Sequence, residues 1–365
     1  MHRICFVTGT RAEFGLMQSV LAAIRAHGKL SLQIVATGMH LDRSRGSTVK
    51  STDADAVVPW RGHTLAAATG NAVAGLAGVF ERLHTDIVLI VGDRVEAFAA
   101  AAAGSIGGRV VAHIHGGDRA LGQVDDSLRH AITKLAHVHF PATSQSAARI
   151  ARLGEQKWRI HRVGSPGIDG ITRLAAPSRA IAHIATKPYA LAVLHPIDAD
   201  EQVERRRAAD MLAAIRAAGV PRIIAIYPNN DPGAAGIVRS LRAAESADVT
   251  LLRNVPRPIF LGLLRDAAML VGNSSAGIIE AGSFGTPVVD IGDRQLGRER
   301  RGDVMHVSYD RKAVANAVGN IWNHGRPRRQ RRHNPYGGAA TGKKIADILG
   351  RLIIDRRLLR KLIAY

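Results

Sequence analysis

Short runs of apolar, largely β-branched residues alternate along this chain with longer stretches whose apolar positions recur at helical spacing. Strands are predicted at Arg3–Thr8, Leu32–Thr37, Ile87–Val91, Arg109–Ile114, a short run ending at Phe140, and Ile160–Val163. Between them, helices are predicted at Gly15–Ala26, Thr64–Leu83, Val95–Gly104, from Asp125 or Asp126 to about His137, and over Ser144–Leu153. Regular alternation of this kind is the signature of βα units around a parallel sheet. Gly164–Lys187, broken by Pro166 and Pro177 and followed by Pro188, interrupts the periodicity and reads as a connector. The pattern then resumes, with strands at Tyr189–Leu194, Arg222–Ile226, Thr250–Leu252, Met269–Val271 and Val288–Ile291. Helices fall at Asp200–Ala218, Gly233–Ala244, Ile259–Ala267 and Ser275–Phe284. The expected fold class is therefore α/β, with two doubly wound domains at 1–170 and 171–350 and a basic extension at 351–365. Strand C-termini of both domains are expected to face a cleft, the edge at which open α/β sheets bind ligands.

The stretch that organises the chain is His113–Lys134. It ends a buried strand in His-Ile-His-Gly-Gly-Asp and, after a polar loop, starts a helix with Asp125, Asp126, Ser127, Leu128 and Arg129. Either aspartate alone is also explained as a helix cap.

Composition adjusts this picture modestly. A length of 365 residues with 46% hydrophobic content is enough for two cores. No apolar run reaches membrane-spanning length and the first segment lacks a signal-peptide layout, so the expectation is a cytoplasmic protein with no membrane partner. Cys5, the single cysteine, lies in the first strand and is expected to be a packed thiol. The formal charge of +20 raises nucleic acid as a partner. Much of the excess lies in Arg326–Arg332 and Arg351–Lys361, aromatic residues make up only 4%, and no basic stretch is interleaved with stacking residues, so nucleic acid is not expected. A basic surface also attracts small anions such as nucleotide sugars.

Candidate chemistry gathers at the strand ends. Gly9-Thr10-Arg11 between a strand and a helix offers backbone amides and a guanidinium to an anion, although the spacing does not fit the dinucleotide fingerprint. Gly272-Asn273-Ser274-Ser275-Ala276-Gly277 repeats the arrangement. There small residues would let a diphosphate approach the backbone, the Ser hydroxyls would donate, and Glu280 would accept from ribose hydroxyls, with Arg294 nearby. Asn229, in Tyr-Pro-Asn-Asn-Asp, is a further substrate-binding candidate. Asp93 beside Arg94, Asp118, Asp125, Asp126 and His195 would supply acid and base, because carboxylates and a histidine sharing one desolvated site have their proton affinities pushed apart. His113, His130, His137 and His139 read as packed or solvent-facing side chains. No His-Glu-x-x-His or cysteine cluster points to a metal, and no Gly-x-Ser-x-Gly elbow or P-loop is present.

These motifs resemble the UDP-N-acetylglucosamine 2-epimerases, particularly the hydrolysing branch that opens sialic-acid-type sugar pathways. The resemblance rests on Gly-Thr-Arg-Ala-Glu-Phe-Gly at 9–15, Thr-Gly-Met-His-Leu at 37–41, Gly-Asp-Arg at 92–94, His-Ile-His-Gly-Gly at 113–117 and Asp-Asp-Ser-Leu-Arg-His-Ala-Ile-Thr-Lys at 125–134. It continues through Leu-His-Pro at 194–196, Asn-Ser-Ser-Ala-Gly-Ile-Ile-Glu-Ala at 273–281 and Ile-Gly-Asp-Arg-Gln at 291–295. It implies two Rossmann-like domains of the GT-B, glycogen-phosphorylase kind. It also implies removal of the sugar C2 proton, elimination of UDP to a glycal-type intermediate and addition of water with inversion at C2, without metal or other cofactor. Residue by residue, it implies that Arg11, Ser274, Ser275, Glu280 and Arg294 hold UDP, and that Gly277 belongs to the same UDP-sugar site. Arg94 and His195 would steady the diphosphate or sugar, and Asp93, Asp118 and Asp126 or Asp125 would move protons. A homo-oligomer, dimer or tetramer, is expected. The family usually carries Glu where this chain has Asp118, one methylene shorter, and catalysis is sensitive to displacement on that scale. A GT-B glycosyltransferase and a catalytically idle UDP-sugar-binding protein are the alternatives.

Overall fold

The computed structural model describes residues 1–41, 49–119, 124–229, 231–253, 255–337 and 339–364, with the side chains of Arg11, Ala12, Lys50, Ser51, Val124 and Asp125 left outside that description. The chain divides into two compact units, Met1–Asp169 with Tyr336–Tyr365, and Gly170–Pro335.

The first unit runs β1 (His2–Thr8), α1 (Arg11–Leu16), α2 (Gln18–Arg25), β2 (Leu30–Ala36), β3 (Ala56–Val57), α3 (Leu65–Arg82), β4 (Ile87–Val91), α4 (Val95–Ile106), β5 (Val110–Ile114), α5 (Val124–Leu135), β6 (Val138–Phe140) and α6 (Ser144–Arg152). Among the described residues its strands form one parallel sheet in the order β3-β2-β1-β4-β5-β6. β4 and β5 are buried at every position, because helices cover both faces of the sheet. The alternation along each strand shows this directly. Ile4, Phe6, Ile87, Leu89, Val110 and Ala112 join one apolar cluster with α2, whereas Cys5, Val7, Val88, Ile90 and Val111 join another with α3, α4 and α5. Burying one such Ile, Leu or Val contributes about 1.5–3 kcal/mol, so each face supports the other. The Cys5 thiol is packed as expected, and burial pushes its pKa up to about 12.

The second unit begins with the short helices α7 (Ile171–Leu174) and α8 (Ser178–Ile181), inside the stretch expected as a connector. It continues through β7 (Ala190–Val193), α9 (Glu201–Ala217), β8 (Ile223–Ile226), α10 (Ala234–Ala244), β9 (Val249–Leu252), α11 (Arg257–Asp266), β10 (Met269–Gly272), α12 (Ser275–Ile279), α13 (Ala281–Phe284), β11 (Val288–Ile291), β12 (Met305–Val307) and α14 (Arg311–Trp322). Its strands are also parallel, ordered β12-β11-β10-β7-β8-β9. Counted within the unit, this is the connectivity of the first sheet. Each sheet therefore reverses its winding at one place, between β1 and β4 and between β7 and β10, and the two units are Rossmann-like.

Two expectations are corrected. Ile160–Val163 is not a strand: Ile160 makes only an isolated bridge to His139. His161 N donates to His139 O and Val163 N to Pro141 O, but Pro141 has no N–H to return, so the ladder stops. The second correction concerns residues 336–350, expected in the second domain, and the extension 351–365. Both belong to the first unit. α15 (Thr341–Leu349) packs against α2, placing Ile345, Ala346 and Leu349 in the cluster with Val20, Leu21 and Ile24, and Asp169 holds its start by accepting from Ala340 N and Gly342 N. Beyond it, the buried Arg159 donates to the carbonyls of His137, Leu358, Arg357 and Arg360, clasping α16 (Arg356–Leu359) to the unit. Arg159→Met, which keeps the apolar stem and removes the donors, is expected to cost the first unit about 2 kcal/mol, since carbonyls paired with a charged group lose their partner. A lowered thermal midpoint for that unit, beside an unchanged one for the second, checks it; an unshifted melt would show that the clasp carries no stability.

Candidate active site

In the first unit the chemistry-bearing residues follow β1, β4 and β5, around the place where the winding reverses. Thr10 caps α1 in a reciprocal box: Glu13 N donates to its hydroxyl, while the Glu13 carboxylate accepts from Gly9 N and Thr10 N. Burial, reinforced by neighbouring Glu96, pushes Glu13 up to about 7. Arg94, at the end of β4, donates through Nε and Nη2 to the buried Glu96 carboxylate, at 3.1 Å each. The main chain of Arg11 and Asp125 starts α1 and lies in the first turn of α5, but their side chains lie outside the described residues.

After β5 the chain turns through His115 at φ +64 and Gly117 at φ +73. Both glycines of His-Gly-Gly are needed here. A Cβ on Gly116 would lie 2.8 Å from His113 Nδ1, and one on Gly117 would lie 2.2 Å from Ser146 O. The turn brings Asp118 back onto His115, with Oδ2 2.8 Å from Nδ1, while Ser146 Oγ donates to Oδ1 at 2.8 Å. His115 Nε2 lies 3.0 Å from Ser165 Oγ. Arg129, only 2% exposed on α5, donates to Asp126 Oδ1 at 2.6 Å, to the Asp118 carbonyl at 2.5 Å and to the Asp93 carboxylate. Asp93, Asp118 and Asp126 thus share one network. His113 donates from Nε2 to Gly92 O, and full burial lowers its pKa to about 3, so it is a neutral packing residue. His137 and His139 are likewise buried and shifted down by desolvation.

In the second unit the reversal lies between Leu194–His195 and Gly272–Ser274. A Cβ at Gly272 would meet Val193 O at 2.0 Å, so the two strand ends press together there. Buried Asn273 completes the join, accepting from His195 N at 2.7 Å and donating to His195 O at 2.8 Å and Tyr309 Oη at 3.0 Å. His195 Nδ1 accepts from Asn229 N at 3.1 Å, which leaves the hydrogen of the neutral ring on Nε2. Desolvation, then the Arg294 charge, lowers its pKa to about 4. His195 is thus a neutral hydrogen-bond donor. Arg294 donates to Asn273 O beside it. Ser274 caps α12, and Glu280 interrupts the helix and pairs with Arg257 at 2.8 Å. Gly277, expected at the UDP-sugar site, donates its N–H to Ser274 O, and a Cβ there would meet Val288 Cγ1 at 2.9 Å, so its small size also serves helix-on-sheet packing.

His115, Ser146, Ser165 and Arg129 were missed as site residues. His115 carries a sequence signal in the strand-end motif His-Ile-His-Gly-Gly-Asp, and Arg129 carries another, a cation three positions after Asp126 on one helix face; the two serines carry none. Among the described residues no cluster of His, Cys, Asp and Glu fits a metal ion, and no helix is long and apolar enough to cross a membrane.

The family model for UDP-N-acetylglucosamine 2-epimerase matches residues 22–350. The chain belongs to this epimerase family. A UDP-N-acetylglucosamine 2-epimerase of Neisseria meningitidis is 35% identical over 329 residues, 87% of each chain. A Legionella pneumophila UDP-N,N'-diacetylbacillosamine 2-epimerase (hydrolyzing) is 34% identical over 381 aligned positions covering 100% of both. The crystal structure of a Neisseria meningitidis UDP-GlcNAc 2-epimerase bound to UDP-GlcNAc superposes with a TM-score of 0.80 at 20% identity, covering 95% of this chain and 99% of that one. In this epimerase-family chain, proton uptake by buried histidines opposes folding. Folded-state values lie below the ordinary 6.5 for His113, His137, His139, His161 and His195, so stability is lost as pH falls below 6.5. Glu13, raised, acts oppositely between 7 and its ordinary 4.5. The second unit, which holds His195, is expected to lose about 1.4 kcal/mol per pH unit from that one group below pH 6.5. Unfolding at pH 7.0, 6.0 and 5.0 checks the slope, and an NMR titration placing the His195 midpoint near 6.5 would contradict the neutral-donor assignment.

Proposed function

We propose that this protein is a hydrolysing UDP-sugar 2-epimerase, acting on UDP-N-acetylglucosamine or a UDP-2,4-diacetamido sugar and releasing UDP and the 2-epimerised N-acetylhexosamine, such as N-acetylmannosamine. The observation that carries the reading is the network of Asp93, Asp118 and Asp126 around the buried Arg129, at the sheet edge where parallel folds place their ligands. The end-to-end similarity to a relative whose name specifies hydrolysis supports the branch.

In this reading the C2–H bond breaks and its electron pair forms the C1=C2 bond while the C1–O bond to the diphosphate opens, UDP leaving with that pair. Water then supplies hydroxyl to C1 and a proton to the opposite face of C2. Arg294, Ser274, Ser275, Asn229 and Glu280 are assigned to UDP, with Arg11 by the resemblance of its motif. His195, donating from Nε2, and Arg94 are assigned to the departing diphosphate. A neutral donor suits that task because it stabilises developing negative charge without having to be protonated first. The network of Asp93, Asp118 and Asp126, with Asp125 as the alternative to Asp126, is assigned to abstraction and delivery of the C2 proton, directly or through the groups it orients.

In deuterated water, UDP-N-acetylglucosamine should yield free UDP and a free 2-epimerised sugar carrying deuterium at C2. An epimerised sugar still attached to UDP would exclude the hydrolysing branch, and bound substrate with neither UDP release nor label would exclude epimerisation. Asp118→Glu is expected to lower kcat about 100-fold, because the added methylene displaces a carboxylate already gripped on both oxygens. A raised rate would mean that the short side chain limits catalysis.

A further inference from the structure

We infer that His115 carries the proton for the first unit's cluster and that Asp118 is its positioning residue, an inference that rests on the epimerase reading. Each carboxylate of the network is committed. Asp93 and Asp126 are ion-paired to Arg129. Asp118 is 8% exposed, with Oδ2 on His115 Nδ1 and Oδ1 on Ser146 Oγ, and Arg129 also holds its carbonyl. An ionised carboxylate only accepts, so Nδ1 of His115 bears the ring hydrogen and Nε2 presents its lone pair. That lone pair accepts from the Ser165 hydroxyl at 3.0 Å, and Ser165 Oγ accepts from Gly167 N. Ser165 is itself fully buried, so a substrate C–H must displace its hydroxyl to reach Nε2, a displacement that breaks no ion pair.

Carboxylate, imidazole and hydroxyl in this order form a unit in which the acid fixes the tautomer and stabilises the imidazolium without taking the proton itself. The backbone is shaped for it. His115 sits at φ +64, and the two glycines that follow let Asp118 fold back three residues to reach it. This also accounts for the side chain at 118: an aspartate is long enough to reach an imidazole three residues away, and reach toward the sugar is not what it supplies. In the step itself, the C2 proton passes to His115 Nε2 as the C2–H pair becomes the C1=C2 bond and UDP leaves. The opposite face of C2 is later protonated by another donor, and the imidazolium returns its proton to water.

A double-mutant cycle tests the inference. His115→Asn tolerates positive φ, keeps an amide near the Nδ1 position for Asp118, and removes Nε2. It is expected to lower kcat about 10²–10⁴-fold with KM changed only a few-fold. Asp118→Asn should lower kcat by itself, yet the double variant should be no slower than His115→Asn, because the two residues act as one unit. Circular dichroism and melting show that each variant folds. Losses that multiply, or a His115→Asn enzyme with wild-type kcat, would overturn the inference while the epimerase reading stands. Nitrogen-15 spectra of the wild-type imidazole need no turnover. They should show Nδ1 protonated, with that tautomer lost in Asp118→Asn, and an Nε2–H wild type would also overturn the pairing. A wild type that binds UDP-N-acetylglucosamine but neither releases UDP nor exchanges C2 would overturn the epimerase reading and this inference with it.

Discussion

The buried guanidinium of Arg129 sets the geometry around it. A cation at 2% exposure is tolerated only where acceptors replace its water, and among the described residues they include Asp126 on its own helix, Asp93 after β4, and the carbonyl of Asp118 after β5. One side chain therefore ties α5 to two strand ends. Neither carboxylate would be held in register without it, and the guanidinium would be unaffordable without them. The network also fixes where the loop after β5 turns back, hence where Asp118 meets His115.

Much of the fold was legible because parallel strands covered on both faces must be short and apolar throughout, a signal that survives in Ile87–Val91 and Val110–Ile114 without any partner being known. The positions of the candidate site were legible for the same reason, since ligand chemistry follows strand C-termini. What stayed hidden depends on contacts distant in sequence. Ser165 reaches His115 across fifty positions, and Ser146 reaches Asp118 across twenty-eight. Nothing local distinguishes either from an ordinary capping serine. Asn273 was visible as part of an anion-binding motif, but its role in joining β7 to β10 follows only from the pairing of those strands. Ile160–Val163 failed as a strand through Pro141 on the partner it would have needed, a two-segment property that apolar periodicity does not carry.

The C-terminal residues illustrate the opposite error, in which charge is read as surface. Arg159 and Lys361 add to a large positive excess, yet both are spent on the backbone. Lys361 donates to the carbonyls of Thr133, Lys134 and Ala136 at the end of α5 and pairs with buried Glu155, which Lys134 and His139 also contact. These are the carbonyls a helix leaves unsatisfied, and a cation there also complements the helix dipole. α5 is thus held at both ends, by Arg129 toward the strand termini and by Lys361 at its last turn. The segment expected to be a basic extension completes the helix that carries Asp126.

The two sheets share one connectivity but present opposite chemistry where their winding reverses. In the first unit that edge carries Glu13, Glu96, Asp93, Asp118 and Asp126, and two of its cations, Arg94 and Arg129, are paired to carboxylates among them. In the second unit the corresponding edge carries Arg294, the neutral donor His195 and the Ser274 hydroxyl. A diphosphate needs donors and positive charge, whereas abstraction of a carbon-bound proton needs a lone pair in a site where little water competes. In the proposed reaction the same fold would serve both demands, because the strand ends dictate only position and the side chains that follow decide the sign. Under the inference drawn above, Asp118 belongs to that division of labour: gripped on both oxygens, it would contribute through the imidazole it orients.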